Sequence, residues 1–147
     1  MGWDYYQWKY SSEFTGSLDG AQHIVRSLYI NRPNETNVGL FGYVSSYPSG
    51  QLTNIVILDG SIHGGDTVGA VAGYVIGGTL RNCVAASCVV EGGNRTGGLV
   101  GSLHAGTLAS CHSLCTVTGD NAVGGLAGRN AGGVYSCFSG SAVTGND

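Results

Sequence analysis

The 147-residue chain predicts an all-β fold: a right-handed parallel β-helix of about five coils with a roughly 27-residue repeat. Three observations predict it. The first is self-similarity, because a fixed period of a few tens of residues marks a solenoid in which each unit buries its apolar side against the next. From Val38 the chain reads "VGLFGYVSSYPSGQLTNIVILDGSIHG", from Val68 "VGAVAGYVIGGTLRNCVAASCVVEG", from Thr96 "TGGLVGSLHAGTLASCHSLCTVTG" and from Val123 "VGGLAGRNAGGVYSCFSGSAVTG". Gly42, Gly73, Gly101 and Gly128 correspond, as do Ile55, Cys83, Cys111 and Cys137. The second observation is composition. The 27 glycines and a charged share of 10% lie far from an ordinary globular protein, in which glycine is about 7% and charge about a quarter, and each glycine costs a helix about 1 kcal/mol. The third is the short apolar alternation within each copy, "GGLVG", "GTLASC" and "CTVTG" in the third, with no helical stretch between the runs. Parallel pairing of successive copies must then come from coiling of the chain itself, with the hand that parallel crossovers favour.

The elements follow in order. Residues 1–13, with Trp3, Tyr5, Tyr6, Trp8 and Tyr10, read as an aromatic N-terminal strand or cap. Coils are expected near 14–37, 38–67, 68–95, 96–122 and 123–147. The first is the faintest: "FTGSLDGAQHIVRSLYI", from Phe14 to Ile30, is aligned with Ile24 and Leu28 where later copies have Leu80 and Cys83. Each copy yields three strands and three corners, and the glycines are expected at the corners, where positive φ or close backbone approach is needed. Leu52, Leu80, Leu108 and Val134 should form one inward row, and Ile62, Val90, Val117 and Val143 another. Asp66, Asn94, Asn121 and Asn146 should form a corner ladder.

The copies of "VGGLVG" type followed by "GTLxxC" and "VTG" resemble the GLUG motif, a Gly-Leu-any-Gly repeat of bacterial surface and secreted proteins that include adhesin-like proteins and some immunoglobulin-degrading proteases. The upstream segment is similar to the one that often precedes such repeats, through Phe14, Gly16, Asp19, Gly20, His23, Leu28 and Ile30. The resemblance covers Phe14 to Gly145 and implies the β-helix fold and an extracellular or cell-surface location. Two departures stand out: the copy at Val38 is one residue short in its glycine motif, and the copy at Val68 carries Val71 for the usual Leu and an added residue before Cys88.

Candidate chemistry is sparse. Equivalent residues on stacked coils lie about 4.8 Å apart, whereas a disulfide needs its Cβ atoms nearer 3.8 Å and converging. Cys83, Cys111 and Cys137 in one row, and Cys88 and Cys115 in another ending at Ser141, therefore read as a core ladder of reduced thiols. A zinc site from Cys111, His112 and Cys115 fails on alternation, since His112 should face away from Cys111. Asp59, Asp66, Glu91 and Asp120 are the carboxylates expected nearest one another, and Glu91 should lie above His63 on the adjacent coil, as a surface ion pair or one edge of a glycan site. Asn34 and Asn94 satisfy the N-x-S/T pattern. Neither "HExxH" nor "GxxxxGK" occurs.

The function expected is a non-enzymatic structural or adhesive module that self-associates through its coil ends. The alternative is a carbohydrate-binding or carbohydrate-cleaving β-helix using Trp3, Tyr6, Trp8, His63 and Glu91. No cofactor or metal is implied. Host or matrix glycans or proteins are the partners that fit such a module. A net charge of -3 with six scattered basic residues argues against nucleic acid, and no apolar run approaches the roughly 20 residues that cross a bilayer.

Overall fold

The computed structural model describes residues 13–46 and 50–146. Eighteen short strands coil into a parallel β-solenoid of four turns with a partial turn ahead of them, and no helix occurs among the described residues. The partial turn holds β1 (Ser17–Asp19), β2 (Ile24–Arg26) and β3 (Tyr29–Arg32). The next, entered by a bridge from Val38 to Val68, holds β4 (Phe41–Ser45), β5 (Gln51–Thr53), β6 (Val56–Leu58) and β7 (Ser61–Gly64). Then come β8 (Val68–Gly69), β9 (Ala72–Ile76), β10 (Thr79–Arg81) and β11 (Val84–Glu91), followed by β12 (Thr96–Gly97), β13 (Val100–Ala109) and β14 (His112–Gly119). The last turn is β15 (Val123–Gly124), β16 (Ala127–Tyr135), β17 (Phe138–Ser139) and β18 (Ala142–Gly145). Like strands pair in parallel from turn to turn, building three sheets of seven, eight and three strands. The expected three strands per copy resolve into five pairing runs, because the second and third apolar runs each bend and a two-residue strand opens the turn. The aromatic start, with Trp3, Tyr6 and Trp8, lies outside the described residues.

The core is made of rows. Leu18, Leu52, Leu80, Leu108 and Val134 pair in register, and so do Ile30, Ile62, Val90, Val117 and Val143. Leu52, Leu80 and Leu108 are wholly buried, while Leu18 and Val134 at the two ends are 40% and 38% exposed. Burial is therefore supplied by the turns on either side, and the outer turns receive half of it. Phe14, bridged to Val44, tilts against Phe41 with ring centroids 5.0 Å apart and packs on the core at the first turn.

The expected alignment of the first coil needs correction. Leu18, not Ile24, stands in the Leu80 row, and Ile24 pairs with Val56. The first corner runs through Gly20, Ala21, Gln22 and His23, where the next turn has only Asn54 and Ile55, so the upstream copy carries two extra residues there. Leu28, directly before the paired residue Tyr29, lines up with Gly60 and Cys88 rather than with Cys83.

Of the two needs expected to call for glycine, positive φ and close backbone approach, the repeated glycines meet the second. Positive φ falls almost wholly on residues with side chains: Asn54, Asn82, Ser110 and Ser136 at one corner (φ 52° to 55°), and Asn37, Thr67, Arg95 and Ala122 at another (φ 46° to 60°). Gly77 is the one described glycine with such a φ. Asn and Ser tolerate the left-handed region because their short polar side chains bond locally; for Thr67 it is a strained choice. The repeated glycines instead permit contact. A Cβ on Gly101 would lie 2.5 Å from the Thr67 carbonyl carbon and the Val68 nitrogen, and one on Gly128 would lie 2.5 Å from the same atoms of Arg95 and Thr96. Gly73, Gly101 and Gly128 each let the long strand of their turn press on the short segment that opens the turn before.

Two expectations follow. Leu80→Ala should destabilise the protein by about 2–5 kcal/mol and Val134→Ala far less, as read from chemical denaturation; equal losses would contradict the row description. Gly101→Ala should cost about 1–3 kcal/mol or more through overpacking of backbone, and an unchanged melting temperature would show that the contact yields without cost.

Candidate functional site

The structure brings some of the candidate residues together. Glu91 pairs in register with His63, and its Oε2 lies 3.8 Å from His63 Nδ1. Both side chains stand on the outer face, 46% and 52% exposed for His63 and Glu91, so solvent screens their attraction to about 0–1 kcal/mol. The four carboxylates are distributed among separate partners. Asp59 accepts from Arg26 at 3.1 Å, Glu91 faces His63, Asp66 accepts from the backbone and side-chain amides of Asn94 at 2.9 and 3.2 Å, and Asp120 accepts from the side-chain amide of Asn146 at 2.8 Å. Asp66 and Asp120 both border Gly93.

The corner ladder runs Asp66, Asn94, Asn121, the Asn121 side-chain amide donating to Asn94 Oδ1 at 2.6 Å. Asn146 leaves that line for Asp120. A second ladder, not seen in the sequence, joins Asp19, Asn54 and Asn82 at the opposite corner, with amide-to-acceptor distances of 2.8 and 3.3 Å. Hydrogen bonds from Asn54 and from the Ala21 backbone hold the Asp19 carboxyl below its usual range. The side chain of Asn94 is committed on both sides of its ladder, while Asn34 is exposed.

The cysteines occupy two inward rows. Cys83, Cys111 and Cys137 directly precede paired residues of three successive turns, and Cys88 and Cys115 share a row with Ser141. All five are free thiols; Cys137 in the last turn is half-buried and the other four are buried. Their sulfurs point at carbonyls. Cys111 Sγ lies 3.4 Å from the oxygens of both Leu80, one turn back, and Ala109, and Cys83 Sγ lies 3.6 and 3.5 Å from those of Leu52 and Arg81. The thiol is a weak donor on an apolar body, suited to a row where a carbonyl passes but water does not. Contact with Cys115, then burial, pushes the Cys88 thiol up, and contact with Cys83, then burial, does so for Cys111. The same contacts draw Cys83 down, and Cys115 down to about 6; burial raises Cys137. His112 faces outward, edge-on to Phe138 at 6.3 Å, so it does not converge with Cys111 and Cys115.

One aromatic pair escaped the sequence reading. Tyr43 and Tyr74 stand in register on the outer face of the seven-stranded sheet, their rings stacked at 5.1 Å and 17°. The signal was present, since both follow the motif glycine in "FGYV" and "AGYV", but Ser102 and Arg129 hold that place in later turns and the row does not repeat.

These features define a parallel β-helix repeat protein whose inward rows are apolar or thiol and whose corners are polar ladders. No protein-family model matches the chain. It is 39% identical over 115 residues to Halomucin of Haloquadratum walsbyi, an alignment that takes in 78% of this chain and 1% of Halomucin. Among solved structures it resembles that of a candidate immunoglobulin A1 protease from Bacteroides ovatus, with a TM-score of 0.67 and 15% identity, over 88% of this chain and 52% of that one. At that identity the likeness is one of fold.

Burial makes a prediction about the thiols. Labelling of the native protein with a maleimide near pH 7 should reach Cys137 first and leave Cys83, Cys88, Cys111 and Cys115 unmodified until denaturant is added. Rapid native labelling of all five would show that the rows open to solvent.

Proposed function

We propose that the chain is a non-enzymatic, GLUG-type structural or adhesive β-helix module of a surface or secreted protein, and that it associates through its coil ends. The observation that carries this reading is the turn-to-turn register: like strands pair in parallel, and each inner turn's apolar rows are buried by the turns on either side. Val134 and Val143 close the two apolar rows with 38% and 44% of their surface exposed, where the row members one turn earlier are wholly buried. Strands β15 to β18 pair with the preceding turn alone among the described residues. A turn with its apolar rows uncovered is a template for another parallel turn, whether of the same polypeptide or of a second copy. The likeness to Halomucin supports an extracellular or cell-surface setting, and the repeat itself supports a spacer or adhesive role. Nothing in the arrangement of His63 and Glu91 favours the carbohydrate-cleaving alternative over a screened surface pair.

Sedimentation velocity over a wide concentration range tests the reading. Association is expected for the unmodified chain. The Val134→Asp and Val143→Asp changes, which place charge on the exposed end, should return it to monomer while circular dichroism stays unchanged. A monomer at every concentration would count against end stacking.

A further inference from the structure

We propose that the groove beside Tyr43 and Tyr74 is a binding site for a pyranose ring of a glycan. The inference goes beyond the module reading and does not need it, since end association and glycan binding are measured separately and can fail separately.

The groove lies between the seven-stranded sheet and the corner that enters each turn. Its volume is about 260 Å³, and it is lined on one side by the two tyrosines and on the other by Asn37, Asp66, Thr67 and Arg95. That is smaller than the roughly 300–1,000 Å³ of a pocket enclosing a drug-sized ligand, and suits a ring laid in an open trough. The fold fixes both walls. Tyr43 and Tyr74 are paired by strand register and stacked, so their rings are held half-buried at little further entropic cost. Asn37, Thr67 and Arg95 are the same corner position on three successive turns, each with φ between 57° and 60°, which sets them at the lip of the groove at the spacing of the turns.

The polar groups on that lip are only partly used. Asp66 Oδ1 accepts from Asn94, while Oδ2 carries no hydrogen bond among the described residues. Among the described residues the Arg95 guanidinium has neither an ion pair nor a hydrogen bond. A fork of donors thus lines the same trough as an aromatic wall, beside the corner of Asn37 and Thr67. A ligand matching this set has an apolar face to lie against a ring and a rim of hydroxyls that both donate and accept. A pyranose has both: its axial C–H face suits the electron-rich ring, and adjacent hydroxyls or a carboxylate suit the planar guanidinium.

The test is binding of the full chain to an array of pyranose oligosaccharides, with titration of the strongest binder. Tyr74→Ala should weaken that binding about tenfold, the scale of one lost ring contact. Tyr74→Phe should keep most of the affinity, and Arg95→Gln should lower it severalfold. Tyr135→Ala, removing an aromatic 62% exposed elsewhere on the surface, should leave it unchanged. Melting temperature is followed for each variant, and if Tyr74→Ala unfolds, Arg95→Gln and Tyr74→Phe still decide. Absence of binding to any pyranose on the array overturns the proposal, and so does binding that a folded Tyr74→Ala and Arg95→Gln leave intact.

Discussion

Parallel stacking at about 4.8 Å is the constraint from which the rest of this structure descends. Each side chain must share its row with whatever the next turn places there, so a row works only if its occupants suit one another: apolar against apolar, amide against carboxylate, thiol against carbonyl. Leu80 between Leu52 and Leu108 satisfies this by burial, and Asn94 between Asp66 and Asn121 by donating one way and accepting the other. A charged row would repel along its whole length, which accounts for the low charge of the chain. The ion pair that does bridge turns, Arg26 with Asp59, sets opposite signs on neighbouring levels, and the Glu91 carboxylate has a neutralisable imidazole, His63, as its neighbour.

The same constraint divides labour between glycine and the small polar residues. A coil must turn sharply several times within some 27 residues, and it must also let its long strand touch the short segment that opens the turn before. The bends need positive φ, which Asn and Ser supply while adding a ladder bond that glycine lacks. The contact needs absence of a Cβ, which no other residue supplies. Gly73, Gly101 and Gly128 answer the second need. Composition alone does not separate the two roles, because both appear as residues that disfavour helix.

What was legible in the sequence was what repeats. The Leu80 and Val90 rows, and the pairing of Glu91 with His63, follow from aligning copies, since register in a solenoid is alignment made physical. The first turn is harder to align because Ala21 and Gln22 enlarge its corner: Leu18 takes the core-leucine row, and Ile24, past the corner, takes the row of Val56. The second bend of each long run was invisible because the positive-φ residue there, Ser87 in one turn and Ala105 in the next, is an ordinary one. The tyrosine groove was missed for a different reason. It occupies only two turns, and a method that looks for repetition passes over what differs.

Those bend residues are not constant. Ala86 and Val89 align with Leu114 and Thr116, so Ser87 has no counterpart one turn later, and Ala105 is likewise dropped in the last turn, where His104 and Thr107 align with Ala131 and Gly133. Perimeter can thus shrink by a residue at a vertex while every row above and below it keeps its alignment. Length variation is absorbed locally, as slack in a hoop is taken up at its bends. A scaffold with that property can accept insertions at its vertices, and with them new surface loops, without renegotiating the interior.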